Sequence, residues 1–98
     1  MSLRFSIHEM AEAEINEAAD FYDLEDPGLG SVFIDELERG IESIYQFPEA
    51  ARLVRGRVRK KPLVRFPYSL VYSVRSDEVR LLAVAHQKRR PFYWSGRR

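Results

Sequence analysis

The chain contains no cysteine and only two histidines. The absence of cysteine excludes disulfide frameworks, thiolate nucleophiles, zinc ribbons and iron–sulfur clusters, and it is compatible with a reducing cytosol. The sequence also lacks a glycine-rich phosphate loop, a histidine-containing metal motif and the sharp turn that presents a nucleophilic serine. We therefore expect no cofactor and no bound metal.

Long apolar segments are absent as well. No apolar run approaches the roughly 20 residues that a membrane-spanning helix needs, and the N-terminus lacks the basic, apolar and small-residue regions of a signal peptide. These features predict a cytoplasmic protein without a membrane partner. With 98 residues, of which 45% are hydrophobic, the chain is expected to form one domain over residues 1–98.

The formal net charge of +1 conceals a strong asymmetry along the chain. Residues 1–50 carry two basic and thirteen acidic side chains, whereas residues 51–98 carry fourteen basic and two acidic ones, so the halves have net charges of −11 and +12. One interpretation is an electropositive surface for an anionic partner. The other is internal pairing between acidic helices and basic strands, and the two interpretations are compatible.

The acidic half is predicted to form two amphipathic helices. Apolar residues recur at three- and four-residue spacing from Glu9 to about Leu24, and again from about Leu29 to Phe47. Pro48 ends the second helix because it has no backbone N–H and restricts the residue before it. The short connection between the helices indicates a helical hairpin. Three carboxylates of the first helix are expected on its solvated face: Glu12, Glu14 and Glu17.

The other segments with regular patterning have the period of two that is typical of strands. They cover residues 2–7, 57–61, 64–75 and 79–86, while residues 48–56 are predicted to be a loop. This order predicts an α+β fold, in which an N-terminal strand precedes a two-helix hairpin packed on a mostly antiparallel sheet of about four strands. The arginines are expected on the sheet face away from the helices, next to a basic C-terminal tail.

The last fifteen residues, Val84–Arg98, combine five cations, one imidazole and three aromatic rings. Cations that meet phosphates and rings that stack on bases are the mixture that binds nucleic acid. The alternative is that the rings dock on the sheet and leave the arginines solvated, and docking is the favoured interpretation of Trp94. For His86, a hydrogen-bonded structural role is favoured over acid–base chemistry.

Several segments together resemble the RelE/ParE superfamily of toxins from type II toxin–antitoxin modules. The resemblance covers almost the whole chain and is carried by these residues: Arg65–Tyr72 (RFPYSLVY), the following strand Val79–Val84, His86, Arg89-Arg90-Pro91, Tyr93-Trp94 and Arg97. The helical hairpin after a short strand is similar to that family too. The resemblance implies the α+β fold described above and a function in growth arrest, as in plasmid-stabilisation modules.

The superfamily has two branches with different activities. RelE-like members are ribosome-dependent mRNA endoribonucleases, whereas ParE-like members inhibit DNA gyrase and need no catalytic residue of their own. The RelE pattern has an arginine where this chain has Ser69, and two upstream lysines where it has Lys60 and Pro62. Losing two of three cations weakens charge stabilisation in phosphoryl transfer. The resemblance therefore favours the ParE-like branch.

The resemblance also implies partners and site residues. The target-binding residues would be Lys60, Arg65, Arg89, Arg90, Tyr93, Trp94 and Arg97, and no catalytic residue is assigned with them. In the alternative of an mRNA endoribonuclease acting on the ribosome, the catalytic residues would be Arg65, His86, Arg90 and Tyr93. A cognate antitoxin is the expected partner in either branch. A third alternative is a non-toxic basic interaction module of the same fold.

Overall fold

The computed structural model describes residues 3–98 of the chain. Two helices and five strands follow one another in the order β1, α1, α2, β2, β3, β4, β5. Their bounds are β1 Arg4–Ile7, α1 Glu9–Glu25, α2 Leu29–Gln46, β2 Arg52–Arg55, β3 Val58–Pro62, β4 Tyr68–Arg75 and β5 Glu78–His86. Neither helix in this part of the chain is long and apolar enough to cross a membrane.

The five strands form one sheet in the order β1-β5-β4-β3-β2. β1 pairs with β5 in parallel, and every other neighbouring pair is antiparallel. The predicted α+β class, the helical hairpin and the mostly antiparallel sheet are therefore confirmed. β5 is a central strand between β1 and β4, which explains why its sequence is almost entirely apolar.

The sheet has one strand more than the four that the sequence predicts. The additional strand is β2, which lies in the segment that we expected to be a loop. It has only four residues, both its ends are arginines, and its pairing with β3 shifts register between Leu53 and Arg55. Leu53 is 52% exposed. Only Val54 of this short edge strand is partly buried, where it packs against a core cluster, so no alternating pattern develops and the sequence carries little signal for the strand.

The strand predicted from residue 64 begins instead at Tyr68. Residues 63–67 form a turn, in which the Leu63 N–H donates to the Tyr68 carbonyl at 2.9 Å. Val64 is 92% exposed, whereas Phe66 packs on the core, so the apolar alternation of this segment does not reflect two sheet faces. Pro67, which has no N–H to donate to a ladder, lies directly before the strand.

The main core lies between the helices and one face of the sheet. Its largest fully buried side chains include Tyr72, Phe33, Ile44 and Leu70. The two helices approach closely at Gly30, where an added Cβ would lie 2.5 Å from the Ala19 carbonyl oxygen.

A second, smaller cluster occupies the opposite face of the sheet. It consists of the buried residues Val71, Ala83, Ala85 and Trp94. Because Trp94 belongs to the C-terminal tail, this cluster attaches the tail to the face of the sheet that the helices leave uncovered. β5 is thus covered on both faces, as its sequence predicts.

Candidate functional site

The C-terminal tail, defined here as residues 87–98, is held on the sheet by its own aromatic residues. Trp94 is only 6% exposed, which confirms the docking interpretation. Phe92 has a left-handed backbone with φ of 59°, an uncommon conformation for a bulky residue. The Arg55 guanidinium stacks over the Phe92 ring at 3.9 Å and donates to the Ser95 hydroxyl at 2.8 Å. β2 therefore supplies a clamp that holds the tail in this conformation.

Glu14 of α1 forms a second attachment of the tail. Its Oε2 accepts a hydrogen bond from the Tyr93 hydroxyl at 2.8 Å, and both its oxygens accept from the Arg97 guanidinium, at 3.0 and 3.1 Å. The backbone N–H of Val84 also donates to Glu14, at 3.0 Å. The side chains of Glu14 and Arg97 are each 12% exposed. One carboxylate thus joins α1, β5 and the tail.

The expectation that Glu14 lies on a solvated helix face is wrong, while its neighbours Glu12 and Glu17 are exposed as predicted. The reason lies in the unequal lengths of β1 and β5. β1 pairs with β5 only as far as Leu81, whose carbonyl accepts from His8, so the next backbone groups of β5 lack a strand partner. Glu14 accepts from the Val84 N–H, and Arg97 donates to the Leu82 carbonyl, so these two side chains replace the missing strand partner. No pattern in the sequence shows that these backbone groups of β5 lack a strand partner.

Tyr93 is held by contacts with Glu14, Arg89 and Arg97. Burial, followed by the hydrogen bond to the Glu14 carboxylate, raises the pKa of the Tyr93 hydroxyl well above its usual value. The Arg89 guanidinium lies over the Tyr93 ring at 3.9 Å, and Arg97 lies 5.1 Å from the same ring. A phenol that is held in its protonated form and donates to a carboxylate is poorly suited to carry protons near neutral pH.

Arg65 lies against α2, where it forms an ion pair with Glu36, and it does not take part in the contacts among Glu14, Tyr93 and Arg97. Its backbone N–H and its Nε donate to the two oxygens of Glu36, at 2.7 and 2.9 Å. Glu36 is buried, and these hydrogen bonds, led by that from the Arg65 backbone, lower the pKa of its carboxyl. From the β3–β4 turn, Arg65 thus supplies hydrogen bonds to a buried carboxylate of α2.

The remaining predicted site residues are dispersed over the surface. Lys60 lines a cleft of the open sheet face together with Arg52 and Gln87. The His86 ring stacks edge-on against Tyr68, and its Nδ1 accepts from the Lys88 N–H at 3.1 Å. Arg89 and Arg90 are exposed on the turns that follow β5. Of the predicted residues, the fold brings together Arg89, Tyr93 and Arg97, and it does not assemble Arg65 with them.

A basic cleft that the sequence analysis did not identify lies between the tail and the end of the sheet. We call it the arginine cleft; it has a volume of about 320 Å³ and is lined by Arg55, Arg57, Arg75, Arg80, Arg97 and Arg98. Glu78 is the one acidic residue of its lining. The strand register explains its composition, because Arg80 lies opposite Ser73, and Arg75 opposite Glu78, on the face that carries the tail. The signal was visible as arginines at strand ends, but their convergence depends on the register.

The charge asymmetry is only partly neutralised within the molecule. Over residues 3–98, ion pairs join Arg65 to Glu36 and Arg97 to Glu14, so two of the fourteen basic residues of the second half pair with the acidic half. The third ion pair, between Arg4 and Asp77, lies at the surface. Most of the basic residues of the second half are thus free of ion pairs, so internal pairing accounts for only part of the charge asymmetry.

The comparison with known families agrees with this architecture. Residues 5–91 match the sequence profile described as the ParE toxin of the type II toxin–antitoxin system parDE. The chain belongs to the ParE toxin family. No curated protein matches this ParE-family chain significantly.

A solved structure supports the fold assignment. The chain is similar to one from the chromosomal ParDE toxin–antitoxin system of P. aeruginosa, with a TM-score of 0.78 and 19% sequence identity. The similarity covers 87% of this chain and 96% of that one. At this identity the comparison concerns the fold, and the ParE family assignment rests on the profile match. The expected membership of the RelE/ParE superfamily is confirmed.

Proposed function

We propose that this ParE-family chain is the toxin of a type II toxin–antitoxin module, that it inhibits DNA gyrase by binding it, and that a cognate antitoxin neutralises it in the cytoplasm. The observation that carries the proposal is the tail: it is fixed to the sheet through Trp94 and Glu14 while Arg89 and Arg90 remain exposed. An ordered element that presents exposed cations is suited to binding, since little conformational freedom is lost on association.

The geometry of the alternative catalytic set also favours inhibition by binding. A metal-independent ribonuclease needs a proton carrier and cations around one scissile phosphate. Here the Tyr93 hydroxyl is donated to Glu14, and the Arg65 guanidinium is paired with Glu36 on α2. The Tyr93 hydroxyl would have to leave Glu14 before it could reach a substrate, and the Arg65 side chain is held against α2, apart from Tyr93.

The direct test is a supercoiling assay with purified gyrase, ATP and relaxed plasmid. The full chain should block supercoiling and cause cleaved plasmid to accumulate. Replacing Arg89 and Arg90 with alanine, singly and together, should weaken inhibition, more strongly in the double variant, because truncating exposed cations at an interface removes part of the binding energy. Arg39→Ala removes one exposed charge from α2 and serves as the matched control. Undiminished supercoiling at a large excess of folded chain would refute the gyrase target.

A second assay addresses the ribonuclease alternative. After induction of the chain without an antitoxin, new RNA 5′ ends are mapped and the DNA-damage response is recorded. We expect growth arrest with DNA damage and no discrete cleavage within translated messages. Tyr93→Phe should retain toxicity if its thermal unfolding shows that the protein is folded. Loss of toxicity in a folded Tyr93→Phe protein, with RNA cleavage by the parent chain, would instead establish catalysis.

The antitoxin is the second partner in this proposal. The helical hairpin exposes apolar side chains at Met10, Phe21 and Leu24, and an amphipathic antitoxin segment lying over the hairpin or a sheet edge would cover such residues. Co-expression with the neighbouring gene of the module should restore growth, and the two proteins should purify together. A chain that is produced alone at high level without arresting growth would contradict the toxin assignment.

A further inference from the structure

We propose that the arginine cleft binds the phosphate backbone of duplex DNA. The inference concerns the chain and DNA alone and does not depend on the gyrase proposal. It begins from the charge of the cleft, where six arginines face a single glutamate. Of the six, only Arg97 forms an ion pair within residues 3–98. Such a concentration of like charge attracts a ligand that carries several closely spaced negative charges.

The partners of the other arginines leave their charge uncompensated. Arg55 donates to the Ser95 hydroxyl at 2.8 Å, and Arg80 donates to the Ser6 hydroxyl at 3.0 Å, so both meet neutral oxygens. Ser6 in turn donates to the Glu78 carboxylate at 2.8 Å, which engages the one acidic side chain of the lining. Arg57 and Arg75 are exposed at the mouth of the cleft. The fold thus positions two arginines by hydrogen bonds and leaves two others free to reach a ligand.

The kind of cation indicates phosphate. The chain has lysines at positions 60, 61 and 88, yet none of them lines this cleft. A guanidinium presents a planar set of donors that matches two phosphate oxygens at once, and arginine is accordingly the residue that recurs in nucleic-acid recognition. An acidic peptide would satisfy part of the charge, but its carboxylates are spread along a flexible chain.

The lining also distinguishes a duplex from a single strand. No aromatic residue lines the cleft, all of which lies within the described part of the chain. Proteins that bind single strands without sequence preference stack the exposed bases on aromatic rings, whereas contacts to the backbone of a duplex need only cations and hydrogen-bond donors. A ring-free arginine cleft therefore fits the backbone of duplex DNA, with no base readout.

The test measures fluorescence anisotropy of a labelled 20-base-pair duplex with the full chain from cell-free synthesis, between 50 and 200 mM salt. The variant Arg57→Gln/Arg75→Gln removes two charges from the cleft. The control Arg39→Gln/Lys61→Gln removes two charges that line a separate cavity bordered by α2 and β3. The slope of log K against log salt is negative, and each phosphate contact contributes about 0.9 to its magnitude. We expect the cleft variant to reduce that magnitude by about 1.8 and the control variant to leave it unchanged.

Each other outcome overturns the proposal in an identifiable way. An equal loss in both double variants would mean general electrostatic attraction rather than a site in the cleft. Stronger binding of a labelled single strand than of the duplex would contradict the backbone mode. Displacement of the duplex by polyglutamate at equal charge would identify an acidic peptide as the ligand. Thermal unfolding of both variants keeps loss of structure separate from loss of binding. Gyrase is absent from this experiment, so a negative result would not bear on the proposal that the chain inhibits gyrase.

Discussion

Replacing Glu14 with alanine removes the acceptor for three donors at once: the Tyr93 hydroxyl, the Arg97 guanidinium and the Val84 N–H. Breaking a buried ion pair by deleting one partner costs about 3–5 kcal/mol, because the remaining charge stays desolvated. Since Glu14 and Arg97 each keep 12% exposure, we expect the lower end, about 3 kcal/mol of the free energy of unfolding. For a chain of this length that loss lowers Tm by about 12 °C or more.

The assay is urea unfolding followed by circular dichroism, with Glu12→Ala as the control on the same helix. Glu12 is exposed, so its replacement should change the free energy of unfolding by no more than about 0.5 kcal/mol. Arg4→Gln offers a second control, because the Arg4–Asp77 pair is 72% and 50% exposed and contributes about 0–1 kcal/mol.

A double-mutant cycle then isolates the ion pair from its neighbours. Glu14→Gln, Arg97→Gln and the double variant should give an interaction energy of about 1–3 kcal/mol, as expected for side chains in one hydrogen-bonded network. If Glu14→Ala proves no more destabilising than Glu12→Ala, the argument that this carboxylate fixes the tail is refuted.

Three further predictions concern stability. Gly30→Ala should destabilise by about 1–3 kcal/mol in thermal unfolding, although this change in a helix ordinarily stabilises, because the new Cβ would lie 2.5 Å from the Ala19 carbonyl oxygen; a gain would contradict the close approach. Because the pKa of Tyr93 is raised, its hydroxyl contributes to the free energy of unfolding below pH 10, and this contribution is lost as the pH rises further. Tyr93→Phe should reduce the alkaline loss of stability by up to about 1.4 kcal/mol per pH unit. An unchanged dependence of stability on alkaline pH would contradict this prediction. Because the pKa of Glu36 is lowered, its carboxylate contributes to the free energy of unfolding above about pH 4.5, and this contribution is lost as the pH falls. Glu36→Gln should make the free energy of unfolding depend less steeply on acidic pH. An equally steep dependence would assign the acid sensitivity to other carboxylates.

The sequence predicted the fold wherever burial imposes a period. The helices and the strands β4 and β5 have faces that must be apolar, so their sequence patterns predict them. The predicted ends of these elements differ from the observed ends by only a few residues. β2 was not predicted because this four-residue edge strand has only one partly buried residue, Val54, which is too few to give an alternating pattern. The turn at residues 63–67 was misread because Val64 is apolar but 92% exposed, which no local rule reveals.

The candidate site was harder to predict for a different reason. Residue type identified the cations and rings of the tail, but their roles depend on partners distant in sequence: Glu14 lies 79 residues from Tyr93, and Glu36 lies 29 residues from Arg65. The arginine cleft likewise depends on the register of β4 with β5 and on the docking of the tail. Composition can announce an electropositive surface, while only the topology decides which arginines converge.

The position of the acidic residues connects stability with the proposed activity. The first half of the chain contributes Glu14 and Glu36, and each takes up one arginine that the family resemblance assigned to the site. These arginines support the tail and the β3–β4 turn, and the exposed Arg89 and Arg90 are thereby carried on an ordered base. An inhibitor that acts by binding gains from that order, because the freedom of the tail is already lost before it meets its target. For proton transfer to a substrate, the Tyr93 hydroxyl would first have to leave its hydrogen bond to Glu14. The same contacts that stabilise the tail therefore argue for a binding surface.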